Sequence, residues 1–176
     1  MRAGVKLAAT LALALAIAAP AGAREAIGVY KSWGAFRDAR PLRCYAIAQP
    51  QVTGGRSHGW ASVATWPARG LRASLHVRLS RERSRAAGVT LSVGERRFAL
   101  VANGNDAWAA DAPSDRAIVS ALRGGRSMSI EAVGVGGQPF ADSYALAGAA
   151  TAIDAAALAC AGDGGRAGQR SVPSQG

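Results

Sequence analysis

Along much of the chain apolar and polar residues alternate at a spacing of two. In "LRASLHVRL", Leu71, Ala73, Leu75, Val77 and Leu79 face one way while Arg72, Ser74, His76 and Arg78 face the other, the pattern of a strand buried on one side. Leu42, Cys44, Ala46 and Ala48 share a face in the same way, and similar runs occupy 60–66, 89–93, 96–101, 127–134 and 138–146. Gly94-Glu95 and the "GVGGQ" stretch supply hairpin connections. Short successive strands joined by such turns predict a mainly β fold, an antiparallel β-sandwich or barrel-like sheet.

Two segments change to a helical period. In "APSDRAIVSALRGG", Ile118, Val119 and Leu122 form an apolar stripe, Asp111 or Ser114 can cap the start and Gly124 can end it. In "AATAIDAAALAC", Ile153, Ala156, Ala157 and Cys160 make a second stripe, with Thr151 and Asp154 spaced as a capping box. The sheet therefore carries one internal helix and one C-terminal helix.

The ends read differently from the middle. Arg2 and Lys6 precede an apolar run of about 13 residues, and Ala21-Gly22-Ala23 closes it with small residues, so residues 1–23 read as a signal peptide. The run is shorter than the roughly 20 residues that span a bilayer. Residues 24–161 then form a single β-sandwich domain, exported to the periplasm or beyond with no transmembrane span after cleavage. Residues 162–176, with almost nothing apolar to bury, read as a disordered tail.

Export gives the two cysteines a meaning, because disulfides persist in oxidising compartments. Both Cys44 and Cys160 lie on inward-facing stripes, and a bond between them is the favoured reading. It would close a loop of about 115 residues and contribute on the order of 4 kcal/mol through the unfolded state. Two separate buried thiols are the alternative, with a reactive or metal-binding pair a remote third since no CxxC occurs.

The net charge is +10, carried by 19 arginines and two lysines against 11 acidic residues. Such an excess favours anionic partners. The densest run, "RLSRERSR", makes Arg78, Arg81, Arg83 and Arg85 the candidate anion-binding residues, since guanidinium forks suit phosphates, sulfates and carboxylates. A solvated turn in an arginine-rich protein is the plainer reading. The expected partners are an envelope or host-surface protein, an anionic glycan or a lipid head group. Nucleic acid does not suit an exported chain, and Trp33, Trp60, Trp66 and Trp108 read as sheet aromatics rather than a base-stacking platform.

Catalytic chemistry is thinly represented. The histidines are His58, in a turn-like segment, and His76, on the polar face of a strand. A serine nucleophile with His76 and Asp106 or Asp142 is compatible with spacing, yet no GxSxG elbow supports it. No metal-ligand spacing and no cofactor motif occurs, and "GVGGQP" lacks the lysine and helix of a phosphate loop. The expectation is a non-enzymatic binding protein, with a periplasmic hydrolase using a histidine as the alternative.

The order of features carries one further reading. Gly28 and Trp33 in "GVYKSWGAF", Arg43, Cys44 and Gln49 in "RCYAIAQ", and Tyr144, Leu146, Gly148, Ile153 and Leu158 in the closing strand and helix follow one another with characteristic spacing. This succession, over residues 27–161, resembles the invasion-associated locus B family of exported bacterial proteins. The resemblance implies an envelope or secreted β-sandwich with no established enzymatic activity, associated in some pathogenic members with entry into host cells. Many relatives of this group carry another cysteine just after the opening tryptophan. "WGAFRDAR" has none, which would leave Cys44–Cys160 as the sole bridge.

Overall fold

Alternation of small and branched apolar residues generates ten antiparallel strands in a computed structural model that describes residues 24–56 and 58–167. The expected signal peptide lies outside the described residues. Strands β1 (Glu25–Tyr30), β2 (Trp33–Ala39), β3 (Leu42–Ala48), β4 (Trp60–Trp66) and β5 (Leu71–Arg78) form a meander. They are followed by β6 (Val89–Val93), β7 (Arg96–Asn103), β8 (Asp106–Trp108), helix α1 (Ala112–Gly124), β9 (Ser127–Val133), β10 (Pro139–Ala145) and helix α2 (Ala149–Ala167). The hydrogen-bonded order is β1-β2-β3-β4-β5-β8-β7-β6-β9-β10, so the sheet is mainly β and antiparallel as expected, and it does not close into a barrel.

The sheet curls until its last strand returns to its first turns. The outer edge of β10 is met by the β3–β4 connection, where Gln51 N–H donates to Ser143 O and Ser143 N–H to Val52 O, both at 2.8 Å. The indole of Trp33 donates to Ala145 O at 2.9 Å. These contacts occupy polar groups that an open edge would leave unpaired.

One core fills the curl. Ala35, Ala46, Val63, Leu75, Val77, Leu91, Ile130 and Tyr144 from the sheet join Ile118 and Leu122 of α1 and Ile153 and Ala156 of α2 in one buried cluster. Small residues on β2 to β4 let α2 lie close to the sheet, and Cys160 is bonded to Cys44 there with Cα atoms 5.8 Å apart. Gly148 makes the turn from β10 into α2 at φ +86°, and any Cβ at that position would lie 1.8 Å from the Tyr30 carbonyl oxygen.

Local departures have local causes. Asp111 caps α1, accepting Ser114 N–H at 2.7 Å, and Gly124 is its last helical residue. Helix α2 starts at Ala149, so Thr151 sits inside its first turn, and Asp154 pairs with Arg123 of α1 rather than forming a capping box. It also continues to Ala167, into the segment read from sequence as tail; the remaining tail residues lie outside the described set. In β5 a register shift opposite Ala64 to Trp66, with Ala73 at φ +52°, breaks the alternation. Leu75, Val77 and Leu79 are buried as their spacing requires, whereas Leu71 is 44% exposed.

Candidate functional site

The helices and the disulfide mark the inner side of the sheet, and the opposite side carries the chemistry. Even-numbered positions of β4 point outward, which places Trp60, Ser62, Ala64 and Trp66 in one line along the strand. Cross-strand register sets Tyr45 beside Ala64, and sets Ile47 and His76 on either side of Ser62. Trp108 pairs with His76 and Phe36 with Tyr45, extending this outer face from β2 to β8. Trp33 has the opposite parity and is wholly buried in the core. The expectation of sheet aromatics thus divides into one core indole and three on the outer face.

At one end of the line, arginines lie over aromatic rings. The Arg43 guanidinium is 4.3 Å from the Tyr45 ring centroid and 4.9 Å from that of Trp66, and Arg69 lies 4.9 Å from Trp66. Arg24 stands 5.7 Å from Phe36 and 5.6 Å from Tyr45. Each contact is worth about 0.5–1 kcal/mol at an exposed position, and together they fix the direction of long side chains that would otherwise roam. Asp38 is the local carboxylate; it accepts from Arg43 Nε at 3.2 Å and lies 3.5 Å from Arg24. Arg69 has no carboxylate partner among the described residues. The Tyr45 hydroxyl is buried beneath this layer with no hydrogen-bond partner among the described residues, and burial foremost, then the Asp38 charge, raises its pKa.

At the other end His76 sits between two indoles. Its ring stacks on Trp108 at 4.9 Å and meets Trp60 edge-on at 4.6 Å. His76 Nε2 lies 2.9 Å from Asp106 Oδ1, and Arg78 grips the same carboxylate through Nε at 3.1 Å and Nη2 at 2.7 Å. The structure therefore brings together His76 and Asp106, a pair the sequence left as one of several options. Ser62, the nearest serine across the strand pair, sends its hydroxyl to the His76 carbonyl at 3.4 Å instead of to the ring. Among the described residues no hydroxyl bonds to the imidazole.

The other sequence candidates fall elsewhere. Asp142 is fully buried, accepting Gly54 N–H at 2.9 Å and Ser80 N–H at 2.8 Å, with the Ser80 hydroxyl as a third donor. His58 is exposed in the β3–β4 connection. Of the four arginines in the basic run, Arg78 is held by Asp106, and Arg81 lies 5.9 Å from the Phe140 ring. Arg83 is only 7% exposed, its guanidinium donating to the carbonyls of Ser84, Ala87, Ala102 and Gly104 at 2.8–3.1 Å. Arg85 is exposed. The run thus does not converge on one point. Arg81 instead shares with Arg56 and Glu82 a depression of about 590 Å³ floored by Gly55 and Ser80. Among the described residues no cluster of three or more His, Cys, Asp or Glu is placed to hold a metal ion.

A protein-family model described as Invasion associated locus B (IalB) protein matches residues 34–157. The chain belongs to the invasion-associated locus B family. The matched span runs from β2 into α2 and contains the β2–β5 outer face, α1 and Cys44. For this IalB-family chain, neither the curated proteins nor the solved structures give a match. Among its described residues no helix is long and apolar enough to cross a membrane.

Sequence reasoning found His76, Asp106 and the tryptophans singly and missed the arginine layer altogether. Arg24, Arg43 and Arg69 lie in three different segments, and only the β-meander brings them over the same rings. The available signal was the alternation in 42–48 and 60–66 read for its outward residues: Arg43 and Tyr45 on one strand, Trp60 and Trp66 on the next.

Proposed function

We propose that this protein is an exported, non-enzymatic binding module of the bacterial envelope that contacts an anionic component through the outer face of its sheet. The observation that carries the reading is the layer in which Arg43 and Arg69 lie over Trp66 at 4.9 Å, with Asp38 as its carboxylate. Guanidinium groups held over rings are preorganised, and Arg69 has no carboxylate partner among the described residues to compete with an incoming oxyanion. The signal-like N-terminal segment and the disulfide support export, and the net charge of +10 supports an anionic partner.

The test is a salt series of binding to immobilised dextran sulfate. Replacing Arg43 and Arg69 together by Gln should weaken retention by about tenfold or more, and the salt dependence should become shallower. Equal retention of the double variant would remove this face from the reading. Cell fractionation with intact-mass measurement checks export separately: a full-length chain in the cytoplasm would overturn it.

A further inference from the structure

The outer face has a shape as well as a charge. Trp60 and Trp66 stand on the same side of β4 six positions apart, which at about 3.3 Å per residue separates them by roughly 20 Å. Between them lie the small side chains of Ser62 and Ala64, only 7% and 6% exposed, with Tyr45 and Ile47 along one margin and His76 and Trp108 along the other. The three outer tryptophans are part-exposed.

We infer that this strip is a binding site for an acidic polysaccharide lying along β4. The inference rests on the anionic-face reading above and names the chemical class of the partner. With His76 stacked on Trp108 and Arg43 and Arg69 over Trp66, the part-exposed indoles offer their uncovered edges and remaining ring surface to the C–H faces of sugar rings, leaving the sugar hydroxyls to hydrogen-bond at the margins. Ser62, His76 and Asp106 supply such groups near Trp60 and Trp108. Arg69 near Trp66 supplies the fork geometry that carboxylates and sulfates accept, and Arg43, whose Nε and Nη2 hold Asp38, adds positive charge beside it. A separation of roughly 20 Å between the terminal indoles suits several linked sugars rather than one.

The molecule contains its own control in Trp33, whose indole is wholly buried on the inner side and hydrogen-bonded to Ala145. The experiment titrates ¹⁵N-labelled mature protein with a hexameric oligogalacturonate and follows the four indole N–H signals, assigned by single Trp→Phe variants. The signals of Trp60, Trp66 and Trp108 should move together and saturably while that of Trp33 stays still. A neutral cello-oligosaccharide should bind at least tenfold more weakly, and Trp60→Phe and Arg43→Gln should each weaken the acidic ligand by fivefold or more.

Movement of Trp33 alone, of all four indoles equally, or of none would overturn the polysaccharide assignment. Oligogalacturonate binding that is unaffected by Trp60→Phe would do the same, leaving a purely ionic contact. Binding of phosphatidylglycerol vesicles but not of the oligosaccharide, lost on replacing Arg43 and Arg69, would sink the polysaccharide while preserving the anionic face. Indifference of every anionic probe to those two arginines would overturn both.

Discussion

The carboxylate of Asp142 on β10 accepts the backbone N–H of Ser80 at 2.8 Å across 62 positions of sequence. With Gly54 N–H at 2.9 Å as a further donor, one buried side chain ties the β3–β4 and β5–β6 connections to the last strand. Gly55 packs there so closely that a Cβ would lie 2.1 Å from the Ser80 carbonyl oxygen. Asp142→Ala orphans these donors and should destabilise the fold by about 2–5 kcal/mol. Asp142→Asn, which keeps one acceptor, should cost less. Urea unfolding monitored by Trp fluorescence gives both values, and a loss under about 0.5 kcal/mol in the alanine variant would contradict the tie.

Arg83 behaves in the fold as a plug for carbonyl groups rather than as a free cation. Replacing it by Met should lower stability by about 2–4 kcal/mol, because four carbonyl acceptors lose the donor buried among them. Arg81→Glu and Arg85→Glu should stay within about 0.5 kcal/mol of wild type. Chemical denaturation separates the two classes. A charge-reversal study of the basic run must therefore omit Arg83, since its loss would read as lost binding when the cause is lost structure.

Removing the disulfide by the paired change of Cys44 and Cys160 to Ala should lower stability by about 4 kcal/mol, as expected for a bridge across 116 positions. The reduced wild type should match the variant in the same denaturation experiment. If the variant is as stable as the oxidised protein, packing of α2 on β2–β4 is sufficient without the covalent tie.

Two carboxylates give the fold opposite responses to pH. The Arg123 guanidinium grips Asp154 at 2.6 Å and 3.0 Å and holds its pKa below the ordinary value. The stability it adds is present above the ordinary aspartate pKa and is lost as pH falls through the lowered one. The pair is exposed, so the amount is about 0.2–1 kcal/mol. Asp154→Asn should flatten the acid limb of a stability–pH curve by that amount.

Asp115 runs the other way: burial raises its pKa, although the Leu75 N–H at 2.7 Å opposes the rise. The folded state therefore binds that proton more tightly, and stability falls as pH rises from the ordinary value through the raised one. Asp115→Asn retains an acceptor for Leu75 and should remove this fall, with neutral-pH stability equal to or above wild type. Asp115→Ala, leaving the Leu75 N–H unpaired, should cost about 1–3 kcal/mol. Thermal melts at pH 4, pH 5.5 and pH 7 distinguish these outcomes.

Strands with one buried face were legible because burial imposes the period on the sequence: 60–66, 89–93 and 127–133 stand where their alternation places them. Strand β1 was not, since an edge strand half-exposed on both faces, with Gly28 at a register shift, has no reason to alternate. Strand β8 is three residues long, too short to show any period. Charge density along the sequence does not report which arginines lie together in space. The run from Arg78 to Arg85 is dense in sequence but diverges in space, whereas Arg24, Arg43 and Arg69 are far apart in sequence and meet over shared rings. Local composition reports such a layer only after strand pairing is known.

The bridge from β3 to α2 also decides what a protease can achieve. A single cut in the exposed connections between Cys44 and Cys160, such as the β3–β4 segment or the turn before β10, opens the chain but frees no fragment, because both halves remain covalently joined. The nicked chain should therefore run as one species without reductant and as two with it. A chain built this way releases no piece of the span between its cysteines until a second cut or a reductant intervenes.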